Sequence, residues 1–142
     1  TLTPAEAPRI VALGEALRQA ANAQHAVADP DQPHATAIDG VELYRGDRAV
    51  VIYGDRHADR SPCGTGTAAK LALLHHQDRL RVGETHRQMG LLGTTFQGRL
   101  LREVELPGGP AVIPEVSGRA WITGLHRFTL EADDPFPAGY RV

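Results

Sequence analysis

The chain has 142 residues, of which 42% are hydrophobic and 5% aromatic, and this composition predicts one globular domain spanning residues 1–142 with a mostly aliphatic core. Its formal charge is −2, and its cationic side chains, Lys70 and the arginines, are scattered along the chain, which argues against a nucleic-acid partner. One cysteine cannot form an internal disulfide, and no apolar run is long enough to span a membrane, so we expect a cytoplasmic protein.

The first predicted element is a helix that ends near Gln24. Thr3-Pro4-Ala5-Glu6 has the pattern of a capping box, with proline at the first helical position. Four apolar residues then recur at helical spacing: Ile10, Leu13, Leu17 and Ala20. Residues 25–36 hold prolines, aspartates and histidines without a period, which indicates an exposed loop.

A β-hairpin is predicted next, from residues 37–44 and 48–53 around the short turn Arg45-Gly46-Asp47. Residues 65–80 combine good helix formers with apolar positions wide enough to be buried on most sides, so we expect a central helix. Beyond Gly83, β-favouring segments are separated by Gly or Pro turns: residues 94–106, 112–116, 120–123 and 127–130. The pattern predicts an α+β fold in which mixed or antiparallel strands wrap around the central helix.

The single cysteine, Cys63, lies where a polar turn runs into this helix, in Asp59-Arg60-Ser61-Pro62-Cys63-Gly64-Thr65-Gly66-Thr67-Ala68-Ala69. Unpaired N–H groups at a helix N-terminus carry partial positive charge and favour a thiolate, which suits a nucleophile or a proton-transfer base. The neighbouring glycines leave backbone N–H groups accessible for a substrate carboxylate. The alternatives are that Cys63 is a small buried hydrophobic residue and that Asp59 only caps the turn.

Other site chemistries fit the sequence less well. Residues 64–69 match a relaxed dinucleotide-binding fingerprint, with Glu84 at the distance of a ribose contact, but no strand directly precedes the glycines. His75 and His76 point to different faces of the predicted helix and have no partner at ligand spacing, so we predict no metal site. Lys70 could carry pyridoxal phosphate, although a lone lysine is more often a surface charge.

The segment from Val50 to Lys70 resembles the second active-site signature of the proline racemase family. This family includes 4-hydroxyproline 2-epimerases and trans-3-hydroxyproline dehydratases. The resemblance continues through Gly83-Glu84-Thr85, Leu92-Gly93-Thr94-Thr95-Phe96-Gln97-Gly98-Arg99 and Ile113-Pro114-Glu115-Val116-Ser117-Gly118-Arg119-Ala120-Trp121-Ile122-Thr123-Gly124. It ends at Asp134-Pro135-Phe136-Pro137-Ala138-Gly139-Tyr140.

The resemblance implies a diaminopimelate-epimerase-like half and a reaction without a cofactor. In the family, two such halves each supply one cysteine to a shared cleft, and the two thiols exchange the α-proton on opposite faces of a free imino acid. Cys63 would be one of these thiols, Asp59 would bind the ring nitrogen, and Tyr53 would line the cleft where the family usually has phenylalanine. The substrate carboxylate would be bound by the N–H groups of Gly64, Thr65 and Gly66.

Several functions remain open, because the first-half Cys-Gly-His turn does not occur in this chain. We favour a 4-hydroxyproline 2-epimerase, since the phenol of Tyr53 suits a polar ring, with proline racemase as the nearest alternative. A trans-3-hydroxyproline dehydratase would carry its thiol replacement in the other half. A non-catalytic half that binds amino-acid carboxylates is the alternative from another class. For catalysis we expect a partner, either an N-terminal half of the same enzyme or a homodimer mate.

Overall fold

The computed structural model describes residues 1–27 and 35–139, so part of the predicted loop at 25–36 and the motif residue Tyr140 lie outside the described residues. The elements in chain order are a 3-10 turn at Pro4–Glu6, α1 (Ala7–Gln24), β1 (Gly40–Arg45), β2 (Arg48–Tyr53), β3 (His57–Ala58), α2 (Gly64–His76), β4 (Thr85–Met89), β5 (Thr95–Leu106) and β6 (Gly109–Ser117). Neither helix is long and apolar enough to cross a membrane within the described part of the chain.

The described strands form one mixed sheet in the order β1-β2-β4-β5-β6, with β3 paired to the end of β2. All pairs are antiparallel except β2 and β4, which run parallel and meet at Arg48 and Met89. β1 and β2 form the predicted hairpin, closed by a two-residue loop between paired Arg45 and Arg48. Ile52 pairs with both β1 and β3, so β3 lies on the β4 side of β2. The chain therefore enters the Cys63 turn between β2 and β4.

The two helices lie on opposite faces of β2 because its apolar residues alternate in direction. Val50 and Ile52 pack with Ile10 of α1 in one core cluster. Val51 points the other way, toward α2, where a Cβ added at Gly66 would lie 2.6 Å from Val51 Cγ2. Gly66 therefore permits the close approach that brings the start of α2 against the sheet.

The second core cluster joins α2 to the far end of the sheet. It consists of Leu71, Leu74, Leu80 and Leu100, with Val112 of β6 packed against it. α2 packs one side against β2, β5 and β6, and its other side is exposed at Ala69 and Leu73, so the predicted burial on most sides was wrong. The α+β class is confirmed, and two strands that the sequence did not indicate, β3 and β4, complete the sheet.

Several predicted boundaries were wrong. Helix α2 ends at His76 instead of residue 80, because Asp78 adopts a left-handed φ of 57° and turns the chain back toward Leu74. The strand predicted from residue 37 begins at Gly40. Residues 120–123 and 127–130, predicted as strands, have no regular structure. An extended segment is stabilised as a strand only by pairing with another strand, and neither segment pairs with one in the described part of the chain.

The segment that follows β6 is notable for its exposed apolar side chains. The exposed fraction is 91% for Ile122, 96% for Leu125 and 89% for Phe128. Trp121 and Leu130 are also mostly exposed. Isolated exposed hydrophobic residues are common, but a run of them in one segment is typical of a surface that packs against another protein unit.

Candidate active site

The Cys63 turn is held in shape by a short relay of hydrogen bonds. The Cys63 backbone N–H donates to Ser61 Oγ at 3.0 Å, and the Ser61 N–H and Oγ both donate to Asp59 Oδ1, at 2.8 and 2.9 Å. Asp59 is itself fixed to the sheet, because its N–H donates to the carbonyl of Val51. This Asx-type turn places the cysteine directly at the N-cap of α2.

Cys63 adopts a backbone conformation that is rare for a residue with a side chain. Its φ is 65° and its ψ is 123°, in the left-handed half of φ/ψ space. The turn of α2 that follows anchors it, because the carbonyl of Cys63 accepts from the N–H of Thr67 at 2.9 Å and from Thr67 Oγ1 at 2.6 Å. The unusual φ directs the side chain back over the first turn of the helix.

The sulfur atom of Cys63 contacts polar groups from that first turn. Gly66 N–H donates to Sγ at 3.4 Å, and Thr65 Oγ1 lies 3.3 Å from Sγ. Cys63 is 9% exposed, so little of the thiol is open to solvent in this chain. The arrangement can remove or return a proton at a carbon held against Sγ.

The structure brings together most of the residues predicted for the site. Thr65 and Gly66 contact Cys63 Sγ, Asp59 reaches the Cys63 backbone through Ser61, and Gly64 is exposed at the first position of α2. The alternative role of Asp59 as a turn cap is confirmed, and its predicted contact with a substrate nitrogen stays a prediction. Tyr53 lies at the end of β2, 45% exposed, and its aromatic contact is with His57, at 6.0 Å between ring centroids.

A cleft of about 560 Å³ lies beside the turn. Arg60, Ser61 and Pro62 form one wall, and the remaining lining comes from Leu92, Gly93, Thr94, Thr95, Phe96, Arg119 and Trp121. Neither Cys63 nor Asp59 lines it. Since this cleft does not include the sulfur, we do not assign it as the substrate pocket.

The sequence analysis missed a group of buried polar residues behind the turn. Gln88 of β4 is fully buried, and its Nε2 donates to Glu42 Oε1 of β1 at 2.7 Å and to the carbonyl of Pro62 at 3.2 Å. Lys70 was wrongly predicted as a surface charge. It is 3% exposed, its Nζ donates to the carbonyl of Gly46 at 2.7 Å, and it lies over the ring of Tyr44. Buried polar groups acquire such partners because they have lost water.

Burial also changes the protonation of this group. Desolvation raises the pKa of Glu42 to about 7, although the hydrogen bond from Gln88 and the charge of Lys70 act in the opposite direction. Desolvation lowers the pKa of Lys70 and that of His86, where the charge of Lys70 adds to the effect. Among the described residues, no group of three or more His, Cys, Asp or Glu side chains could hold a metal ion.

Comparisons with known proteins identify the family of the chain. The family model described as proline racemase matches residues 1–141. The chain is 36% identical to the proline racemase of Clostridioides difficile over 98% of this chain and 44% of that protein. It is 34% identical to the 4-hydroxyproline 2-epimerase of Spirosoma linguale, over 96% of this chain and 43% of that protein.

A solved structure supports the same assignment. The crystal structure of a hydroxyproline epimerase from Agrobacterium vitis with bound trans-4-hydroxy-L-proline superposes with a TM-score of 0.84 at 32% identity. The match covers 100% of this chain and 42% of that one, so the chain spans less than half the length of the relatives it matches. Because the family model matches almost the whole length of this chain, the chain belongs to the proline racemase family.

Proposed function

We propose that this chain is one half of a cofactor-independent amino-acid epimerase and that Cys63 is one of its two acid/base thiols. The observation that carries the proposal is the position of Sγ at the N-cap of α2, where the Gly66 N–H donates to it. The relatives named as racemases and epimerases support the reaction class.

In the proposed reaction, the Cys63 thiolate removes the α-proton from one face of the imino acid. A second thiol, supplied outside this chain, returns a proton to the opposite face, so the α-carbon is inverted with no net change in atoms or charge. The α-hydrogen is a weak acid, and the developing negative charge needs fixed donors near the carboxylate. Gly64 and Thr65 are exposed at the helix start, where backbone N–H groups have no intrahelical partner.

Asp59 would bind the ring nitrogen of the substrate. Its Oδ1 is already held by Ser61, which fixes the orientation of the carboxylate four residues before Cys63. A cationic ring nitrogen next to this carboxylate would keep the α-carbon in reach of the sulfur, and such positioning accounts for a large share of catalysis in many enzymes.

We propose 4-hydroxyproline as the substrate. The support is the half-exposed phenol of Tyr53 and the bound trans-4-hydroxy-L-proline in the Agrobacterium vitis relative. If Tyr53 hydrogen-bonds the ring hydroxyl, Tyr53→Phe should shift the ratio of kcat/KM values toward proline by roughly 10-fold. An unchanged ratio would refute this assignment of Tyr53.

The second thiol requires a partner, and we propose that the exposed segment after β6 packs against the missing half of the cleft. Ile122, Leu125 and Phe128 supply the apolar surface. The relatives are more than twice as long as this chain, which leaves room for a first half of similar size. A two-fold homodimer with two copies of Cys63 is the other arrangement to test.

The test is complementation by a first half. This chain is mixed with the part of the Spirosoma linguale epimerase that it does not match, complex formation is checked by sizing chromatography, and inversion of trans-4-hydroxy-L-proline is followed by polarimetry. We expect inversion by the complex and almost none by this chain alone. A formed complex without inversion, or robust inversion by a proven monomer of this chain, would refute the proposal.

A further inference from the structure

The backbone of Cys63 is held in a conformation that a cysteine does not prefer. A cysteine with a φ of 65° occupies a region that residues with a Cβ usually avoid. Such conformations persist where surrounding contacts fix the backbone on both sides. Thr67 holds the carbonyl of Cys63 on the helix side. On the other side, the N–H of the Pro62–Cys63 peptide is held by Ser61 Oγ, and the carbonyl of Pro62 is the second point that has to be fixed.

Gln88 supplies this second fixed point. Pro62 is fully buried, and its carbonyl accepts from Gln88 Nε2 at 3.2 Å, with Thr67 Oγ1 at 3.4 Å as a further donor. The turn also lies tightly against the end of β4, because a Cβ added at Gly90 would lie 3.0 Å from the backbone N of Pro62. Gln88 thus holds the turn from β4, and Gly90, directly after the strand, permits the close approach.

Burying the Gln88 amide destabilises the fold, which indicates that the buried amide has a role. Gln88 is 0% exposed, and its Oε1 has no hydrogen-bond partner within the described part of the chain. A buried amide with an unpaired oxygen destabilises a fold more than an apolar side chain of similar size would. The other amide atom, Nε2, makes two hydrogen bonds, and one of them reaches the peptide that precedes the thiol.

Glu42 holds Gln88 in this orientation. Its Oε1 accepts from Gln88 Nε2 at 2.7 Å, while its Oε2 reaches the first turn of α2, 3.3 Å from the position of a Cβ at Gly66. The charged group that acts on Glu42 is Lys70 of α2, and Lys70 in turn interacts with Asp47 of the β1–β2 loop, Arg79 and His86 of β4. A charged carboxylate accepts a stronger hydrogen bond than a neutral carboxyl group does.

We propose that Gln88, oriented by Glu42, is the positioning residue for the Cys63 thiol. Neither side chain touches the sulfur. Gln88 holds the Pro62–Cys63 peptide, and this peptide fixes the direction of Sγ toward the Gly66 N–H. Protonation of Glu42 weakens the hydrogen bond that orients Gln88, so the reactivity of Cys63 acquires a pH dependence in addition to its own titration. This inference rests on the proposed role of Cys63 as the reacting group.

The test measures Cys63 alkylation by iodoacetamide in the whole chain between pH 5.5 and 9.5, normalised to the same chain in urea. The variants are Gln88→Leu, which removes both hydrogen bonds, and Glu42→Gln, which keeps an acceptor oxygen but cannot ionise. Gln97→Leu is the matched control, since Gln97 is an exposed glutamine on the neighbouring strand. Folding of each variant is checked by circular dichroism.

We expect Gln88→Leu to slow Cys63 alkylation at a given pH by roughly 3-fold or more, because the sulfur is no longer held against the Gly66 N–H. Glu42→Gln should remove a component of the wild-type profile centred near pH 7, and Gln97→Leu should change nothing. If Gln88→Leu does not fold, the pH profile of Cys63 alkylation in Glu42→Gln tests the proposal by itself. Profiles that match the wild type in the folded variants would overturn the proposal.

The same variants separate this inference from the proposed function. In the complemented assembly, replacing a positioning residue should lower kcat by roughly 10-fold or more while KM changes little. Misplacing a catalytic group by a fraction of an ångström affects the chemical step. Altered alkylation profiles together with an assembly that never inverts substrate would support the positioning role and refute the epimerase proposal. Variant alkylation profiles that match the wild type, together with active inversion, would support the epimerase proposal and refute the positioning role.

Discussion

Replacing Gly66 with alanine tests whether the start of α2 depends on its close contact with the sheet. The added Cβ would lie 2.6 Å from Val51 Cγ2, well inside contact distance. Val51 is 8% exposed and β-branched, so its methyl group cannot rotate away without meeting other core atoms. The helix must therefore move, and it would carry the Gly66 N–H away from Cys63 Sγ.

The expected size follows from two opposing effects. Overpacking a well-packed site costs about 1–3 kcal/mol. Replacing glycine with alanine in a helix returns up to roughly 1 kcal/mol. Gly64 provides the matched control, because it lies in the same helical turn and a Cβ there meets nothing within 4 Å. The difference between Gly66→Ala and Gly64→Ala therefore isolates the overpacking cost, about 1–3 kcal/mol.

The assay is urea unfolding followed by circular dichroism, since the single tryptophan, Trp121, is 63% exposed and reports poorly on the core. The free energy of unfolding of Gly66→Ala should lie below that of Gly64→Ala. The alkylation profile of Cys63 should change in Gly66→Ala alone. Equal stability of the two variants would refute the packing assigned to the start of α2.

Three further predictions follow from the structure. Because burial raises the pKa of Glu42 to about 7 from its ordinary 4.5, the folded state holds its proton where the unfolded chain releases it. The wild type should therefore lose stability relative to Glu42→Gln as the pH rises from about 4.5 to 7; full burial would make this roughly 3 kcal/mol, and partial exposure reduces it to about 1–2 kcal/mol. A flat difference in unfolding free energy would contradict the raised pKa. The double variant Leu125→Ser, Phe128→Ser should abolish association with the first half without lowering the stability of this chain, whereas Leu106→Ser, at a half-exposed hydrophobic residue of β5, should leave association unchanged in sizing chromatography. Binding by the double variant at wild-type affinity would exclude the segment after β6 as the interface. Cys63→Ser should change the unfolding free energy by less than about 1 kcal/mol, because the two side chains have similar size; a larger loss would indicate a structural role for the sulfur.

The sequence predicted the site best where its residues are close neighbours in the chain. Asp59, Cys63 and Gly66 lie within one turn and the helix start that follows it, so their spacing alone indicated a thiol at a helix N-terminus. The hairpin was predicted for the same reason, since a two-residue loop joins its strands. Ser61 was missed as the link between Asp59 and the backbone of Cys63, although the alternation Asp-x-Ser-x-Cys is visible in the sequence.

The buried group behind the turn could not be predicted in this way. Gln88 is 26 residues from Pro62 and 46 residues from Glu42 in the chain, and strand pairing alone brings them together. Lys70 was assigned to the surface from composition, because nothing in the sequence marks the carbonyl of Gly46 as its partner. The strands expected at 120–123 and 127–130 reflect real β-propensity, but propensity does not supply the neighbouring strand that a sheet requires.

The most direct test of the central claim is proton exchange at the α-carbon in the complemented assembly. Trans-4-hydroxy-L-proline is incubated in D₂O, and the product is analysed by chiral chromatography with mass spectrometry. We expect the inverted product to carry one deuterium at the α-carbon, and we expect Cys63→Ser to slow its formation by at least about 100-fold. Inversion by the Cys63→Ser assembly at the wild-type rate would contradict the assignment of Cys63 as a catalytic thiol.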